Sequence, residues 1–196
     1  MISPDGIDTR FCPPAASPLA ELIVERNYHC GVEIGVWLGG SSKLLLDLPM
    51  IEHLYMVDPW NSAYQYGTNY DQGQFDTFYQ SVCELLNHYD SRKTILRMTS
   101  EEASKVLPKN LDFVYIDGDH TTEGVTADIG FYRNSINPKG ILCGDDFNFS
   151  SVANAVLAMF GAKIKMKDYG FIAKQDGRLI PARVPNRFWY VEEADL

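Results

Sequence analysis

LDFVYIDGDH, residues 111 to 120, is a largely apolar run that stops abruptly in Asp117, Asp119 and His120. A short continuous apolar run reads as a strand buried on both faces. GILCGDDF, residues 140 to 147, repeats the arrangement and ends in Asp145 and Asp146. Between them, residues near 122–135 read as a helix. A strand, a helix and a second strand of this kind form a parallel pair with a crossover. The question is why both strands deliver carboxylates to the same end.

Working outward, the same alternation recurs. GVEIGV (31–36) and HLYMVD (53–58) read as two more buried strands, and KTILRM (93–98) as a third. Helices are expected at 18–27, with Ser17 as cap and Pro18 in the first turn, at 39–48 behind a glycine turn, and near 150–160. FDTFYQSVCELLNHY (75–89) has amphipathic helical spacing. A short helix is expected at 100–107 with Ser100 as its cap. Ala103 rules out a capping box from that cap, while Glu101 and Glu102 suit the positive helix end. The tail from residue 163 alternates and carries Asp176-Gly177, which reads as strands joined by a hairpin turn. The expected fold is α/β: a Rossmann-like, doubly wound, mainly parallel seven-stranded sheet with an antiparallel C-terminal strand. Residues 1–196 are expected to form a single domain, with 59–74 as a long aromatic lid loop holding Trp60, Tyr64, Tyr66 and Tyr70.

Composition narrows the function. Hydrophobic residues make up 45% of the 196, which suits a folded core, and the formal net charge is -9. An acidic protein is a poor partner for a phosphate backbone, so no nucleic acid is expected. No apolar run approaches the roughly 20 residues that cross a bilayer. The N-terminus has no basic start followed by an apolar core, so a cytoplasmic address is expected. Cys12, Cys30, Cys83 and Cys143 show no CxxC pair or metal-ligand spacing, and Cys143 reads as core. A small-molecule partner fits best. A homo-oligomer is compatible with this, and the oligomeric state is not readable.

In an open parallel sheet, ligands bind beyond the carboxyl ends of the strands. Gly35, Gly39 and Gly40, followed by Ser41, form a turn spaced G-x-x-x-G-G, which is not the G-x-G-x-x-G of dinucleotide binding. Asp58 ends the second strand, where a carboxylate can accept both hydroxyls of a ribose. A ribose without a pyrophosphate points to S-adenosylmethionine. Trp60, two residues beyond, is placed to contact adenine. Each acid also has an ordinary reading: Asp58 as a strand stop before Pro59, Asp117, Asp145 and Asp146 as caps and turn residues, Asp119 as a turn or cap. Glu33 lies within an apolar strand and needs a partner, because a lone buried carboxylate is costly.

The stretches VEIGVWLGGSS, LYMVDPW, LDFVYIDGDHTTEGVTADI and PKGILCGDDF together resemble the successive motifs of class I S-adenosylmethionine-dependent methyltransferases. They are most similar to the metal-dependent branch that includes macrocin and mycinamicin O-methyltransferases. The resemblance spans about residues 30–150. It implies that Glu33 and the turn Gly35, Gly39, Gly40 and Ser41 hold the methionine part of the cofactor, and that Asp58 holds the ribose. It implies a metal on Asp117, Asp145 and Asp146, and His120 as general base, with Asp117 also touching the cofactor. Two departures from the family pattern stand out: no large N-terminal region to shape an acceptor site, and an unusually aromatic loop after Asp58.

Elementary electrostatics agrees. Three clustered carboxylates repel by roughly 1 kcal/mol per pair in water and about four times more at a protein-like dielectric. A cation or protons must offset this, and oxygen ligands suit Mg²⁺. The expected activity is methyl transfer to a hydroxyl of a small molecule, a sugar or a phenol. The rivals are a non-catalytic nucleoside- or S-adenosylmethionine-binding protein, a nicotinamide-dependent oxidoreductase, and a metal-dependent hydrolase. The glycine spacing disfavours the oxidoreductase, and the glycine turn with Asp58 disfavours the hydrolase.

Overall fold

Alternation along a single strand shows how the layers assemble. The computed structural model describes residues 16–64, 69–169, 172–175, 178–181 and 186–196. Within β4 (Leu111–Ile116), Phe113 and Tyr115 are buried in one core cluster while Val114 and Ile116 are buried in another. A strand can do this only if helices cover both faces of its sheet. The first cluster includes residues of α1 (Ser17–Arg26), α2 (Gly40–Asp47) and α3 (Gln72–Leu85). The second draws on α4 (Ser100–Ser104), α5 (Thr122–Tyr132) and α6 (Ser150–Phe160). Each large apolar side chain taken fully out of water contributes about 1.5–3 kcal/mol, so these two layers supply the main driving force.

The other strands are β1 (Cys30–Ile34), β2 (His53–Val57), β3 (Lys93–Leu96), β5 (Ile136–Gly144), β6 (Lys165–Tyr169), β7 (Ile172–Gln175), β8 (Arg178–Pro181) and β9 (Asn186–Glu192). Seven form one sheet in the order β3-β2-β1-β4-β5-β9-β6. The first five are mutually parallel, and β9 inserts antiparallel between β5 and β6. The expected sheet is therefore the observed one. β7 and β8 pair separately as an antiparallel ribbon, with Gln175 opposite Arg178. Asp176-Gly177, Cys12 and Tyr66 lie outside the described residues. Cys30, Cys83 and Cys143 are free thiols, and Cys143 is buried as expected.

Strand order brings the acidic ends together. β1 lies between β2 and β4, and β5 follows β4. The chain therefore switches direction across the sheet at β1/β4, the place where such folds open a crevice. Gly35 is required there. It has φ +91°, and a Cβ on it would strike the backbone of Asp117 and Gly118. Only glycine lets the β1 turn approach the β4 end so closely.

Several local boundaries differ from expectation. α3 begins at Gln72, because the Asp71 side chain accepts from Gln74 N–H while Gln74 reaches back, a capping box. The loop after β2 is thus shorter than 59–74. α4 is capped by Thr99 rather than Ser100, and Glu102 completes a capping box that Thr99-x-x-Glu102 spells in the sequence. α1 starts at Ser17 itself, with no side-chain cap from Ala16. Among the described residues, no helix is long and apolar enough to cross a membrane.

Candidate active site

A cavity of about 1030 Å³ opens at the carboxyl ends of β1, β2 and β4. Gly35, Asp58 and Asp117 line it, as do Trp37, Thr99 and Ser100, and the first turns of α5 form a further wall. The volume is ample for a nucleoside joined to an amino acid.

Asp58 is tightly held. One carboxylate oxygen accepts the backbone N–H of Val36 at 3.1 Å and of Trp37 at 2.9 Å, and the other accepts Trp60 N–H at 2.8 Å. These bonds fix the β1 turn against the start of the β2 loop. Trp37 and Trp60 both sit at positive φ, +52° and +39°, conformations that the clasp helps to hold. Burial pushes the Asp58 carboxyl upward from its ordinary range, and the three amides pull it back. Asp58 is thus a strand-end clasp that also faces the cavity.

Glu33 is wholly buried and does not line the cavity. The partner it needed is the Ser42 hydroxyl in α2, which donates to one oxygen, while Oε1 has no partner among the described residues. Burial raises its pKa to about 8. It ties β1 to α2 beneath the glycine turn. Gly39, Gly40 and Ser41 also stand outside the cavity lining: Gly39 packs towards Val82 and Leu85, and Gly40 faces open space. Trp60 borders the cavity yet is fully buried, its Nε1 donating to the Trp37 carbonyl at 2.9 Å and its ring beside Tyr79. Rings available to a ligand are instead Trp37, 37% exposed and flanked by Tyr70, Phe75 and Phe78, and Tyr64, 57% exposed in the cavity lining. The sequence placed Trp37 in the glycine turn but offered no cue that it would face outward.

At the β4 and β5 ends, ligand atoms of Asp117, His120 and Asp146 all lie within 4.8 Å of one another. His120 Nε2 is 3.3 Å from Asp146 and 3.7 Å from Asp117. Asp117 foremost, then Asp146, holds the imidazole pKa above its ordinary value against burial. The expected trio included Asp145 instead. Asp145 is 5% exposed and bound by the Tyr169 hydroxyl, with Oδ1 unpartnered, so it stands outside the converging group. The reason is backbone geometry. Successive side chains leaving a strand point to opposite sides, so Asp145 and Asp146 diverge, and Asp146 sits at φ +57°. Burial chiefly, with Asp117 adding repulsion, pushes Asp145 up to about 7, and burial pushes Asp146 up to about 6. Asp119 is a turn residue, as one reading had it: it accepts Thr121 N–H at 2.8 Å ahead of α5. Tyr169 and Tyr115, which donates to Asp117 at 3.0 Å, escaped notice because their partners are far in sequence or across the strand end.

With this geometry in view, comparison with known proteins identifies the fold. Residues 32–147 match the family described as a methyltransferase domain. The chain belongs to that family. A curated relative, the uncharacterized protein R132 of Acanthamoeba polyphaga mimivirus, is 29% identical over 120 residues, 59% of this chain. The chain's match spans 50% of that relative's length. A putative O-methyltransferase from Klebsiella pneumoniae shares the fold with TM-score 0.64 and 14% identity, covering 95% of this chain and 83% of its own. An O-methyltransferase from Bacillus cereus in complex with SAH does so with TM-score 0.61 and 12% identity, covering 92% of this chain and 81% of its own. The methyltransferase fold is thereby established, and the strand-end cavity lies where such a fold binds its ligand.

Proposed function

We propose that this methyltransferase-domain protein is an S-adenosylmethionine-dependent O-methyltransferase of the metal-assisted, macrocin-like kind, acting on a hydroxyl of a small molecule. The observation that carries it is the convergence of Asp117, His120 and Asp146, of which Asp117 and His120 line the cavity beside Asp58. Asp58 and Asp117, which both line the cavity, would respectively hold the ribose and face the methyl-bearing end of the cofactor. The converging donors fit a hard divalent cation, since oxygen dominates and positions remain for water or substrate. Asp117 and Asp146 would hold Mg²⁺, which when bound lowers the pKa of an acceptor hydroxyl.

Methyl transfer breaks the carbon–sulfur bond, leaves its electron pair on sulfur and forms a carbon–oxygen bond. The acceptor's proton needs a destination, and His120 Nε2 takes it. Its side chain is 44% exposed, so the proton can pass on to water. Positioning the acceptor in line with the sulfonium is the remaining contribution of the chain. The acidic surface suits a neutral or cationic small acceptor and no nucleic acid. Calorimetry with S-adenosylhomocysteine, followed by turnover assays on catechol and sugar acceptors with Mg²⁺ or EDTA, tests this. No binding of S-adenosylhomocysteine would overturn it. Binding without turnover of any acceptor would favour a cofactor-binding protein, and full turnover in EDTA would remove the metal.

A further inference from the structure

Two buried polar atoms without a partner belong to residues that line one small void. Asp145 Oδ1 and Trp189 Nε1 make no hydrogen bond among the described residues, and their residues are 5% and 1% exposed. Both residues border a second void of about 10 Å³, which His120 borders too. Leaving a donor and an acceptor unpaired in the same buried place is costly, and chains seldom do it.

The sheet explains how the two come together. β5 and β9 pair with Gly144 opposite Trp189. The indole lies against that glycine: a Cβ on Gly144 would stand 2.7 Å from Cζ2 and 2.8 Å from Cε2. Cε2 carries Nε1, so the N–H edge of the ring lies beside the residue that precedes Asp145. From β6, the Tyr169 hydroxyl donates to Asp145 Oδ2, which leaves Oδ1. The other polar side chains on the void are engaged elsewhere. Asp119 accepts the Thr121 N–H at 2.8 Å and the Thr121 hydroxyl at 3.0 Å, and His120 Nε2 faces Asp146 and Asp117. Ile116, Val125 and Val152 make the rest of the wall apolar.

The roles of the two atoms fix what can sit between them. An indole N–H only donates, and an ionised carboxylate only accepts. The occupant must therefore accept from one and donate to the other. A metal cation would meet the positive end of the N–H, and an apolar group would serve neither atom. The volume is that of a single water, which needs about 10–15 Å³. Water also accepts, so it serves the Asp145 carboxyl in either protonation state.

We propose that this void is a binding site for one structural water, which accepts from Trp189 Nε1 and donates to Asp145 Oδ1. The water and Tyr169 together occupy both oxygens of Asp145. They tie the end of the last parallel strand to the two antiparallel strands and keep Asp145 apart from the converging Asp117, His120 and Asp146. Trp189 is thereby a positioning residue that acts on Asp145 through the water. The inference is independent of the cofactor and of the acceptor.

The test is a crystal structure of the full chain, grown with Mn²⁺, at a resolution that shows ordered water. One peak is expected within about 2.7–3.2 Å of both Nε1 and Oδ1, without anomalous signal. A direct bond between Nε1 and Oδ1, or no peak in the void, overturns the inference. An anomalous Mn²⁺ peak on Asp145 Oδ1 also overturns it, whereas Mn²⁺ on Asp117 and Asp146 bears on the proposed function alone. In solution, the indole proton of Trp189, assigned by its loss in Trp189→Phe, should show a ROESY cross-peak to water opposite in sign to the diagonal. Absence of that contact overturns the inference. Trp189→Phe keeps most of the ring but removes the donor, so the crystallographic peak should fade or shift. An unmoved peak at full strength would remove Trp189 from the site and overturn its positioning role.

Discussion

Asp58 and Asp145 are both carboxylates at the ends of parallel strands, both largely removed from water, yet their surroundings differ in kind. Asp58 is met by three backbone N–H groups and serves as a finished structural clasp. Asp145 is met by the Tyr169 hydroxyl and the Asp146 backbone, has Oδ1 unpartnered among the described residues, and is repelled by Asp117 and Asp146. The Asp58 carboxylate is satisfied within the chain. The β4 and β5 ends gather Asp117, Asp145 and Asp146, and His120 faces Asp117 and Asp146. A protein that concentrates like charge in low dielectric accepts a cost that a bound cation would offset. The difference separates a clasp that holds shape from the end where the proposed chemistry lies.

The sharpest way to break this contrast is at His120. His120→Ala should slow methyl transfer by about 10²- to 10⁴-fold while Mg²⁺ binding, read by calorimetry, persists. Loss of Mg²⁺ binding would make His120 a ligand rather than the base. Next, Asp146→Asn should lower turnover by at least about 10²-fold and weaken Mg²⁺, with S-adenosylhomocysteine affinity nearly unchanged. Asp145→Asn, changing an acid outside the converging trio, should cost clearly less. Equal losses from the two would erase the distinction between them.

Glu33 tests the structural side. Its folded pKa is raised to about 8 from an unfolded value near 4.5, so the folded state prefers the protonated form. Its contribution is fully favourable below about pH 4.5 and is lost as pH rises through 8. Urea denaturation at pH 5.5 and pH 8.5 should show the parent losing roughly 2–4 kcal/mol more than Glu33→Gln over that interval. A parallel pH response in both proteins would mean Glu33 does not titrate there. The smallest effect is expected at Asp58: Asp58→Ala leaves three amides without their acceptor and should cost about 1–3 kcal/mol in stability, with weaker S-adenosylhomocysteine binding. Unchanged melting with weakened binding would make it a ligand residue alone.

Much of the fold was legible because a buried strand writes a continuous apolar run and the next segment writes a helical period. β4 and α6 were located to the residue. The capping boxes at Asp71-x-x-Gln74 and Thr99-x-x-Glu102 are also written in the sequence, the first ahead of the apolar period that begins at Phe75 and the second one residue before Ser100. The strand-end positions of Asp58, Asp117, Asp145 and Asp146 followed from the same alternation, since a polar residue after an apolar run must emerge at an edge.

Which of those acids converge was not legible. Asp145 and Asp146 are neighbours with identical side chains, yet one meets Tyr169 and the other His120. The fate of the two aromatic candidates was likewise decided in three dimensions. Trp60 is drawn into the core by a hydrogen bond to the Trp37 carbonyl, and Trp37 is left to face the cavity. Asp128 reads in sequence as an ordinary helix acid, and it borders the cavity only because α5 lays its Gly124–Ala127–Asp128 face along it. Sequence alone determined the elements, the sheet and the family, because these depend on hydrophobic period and short motifs within one segment. Tertiary structure decided the partners, because hydrogen bonds and charge neighbours join residues that no local pattern relates.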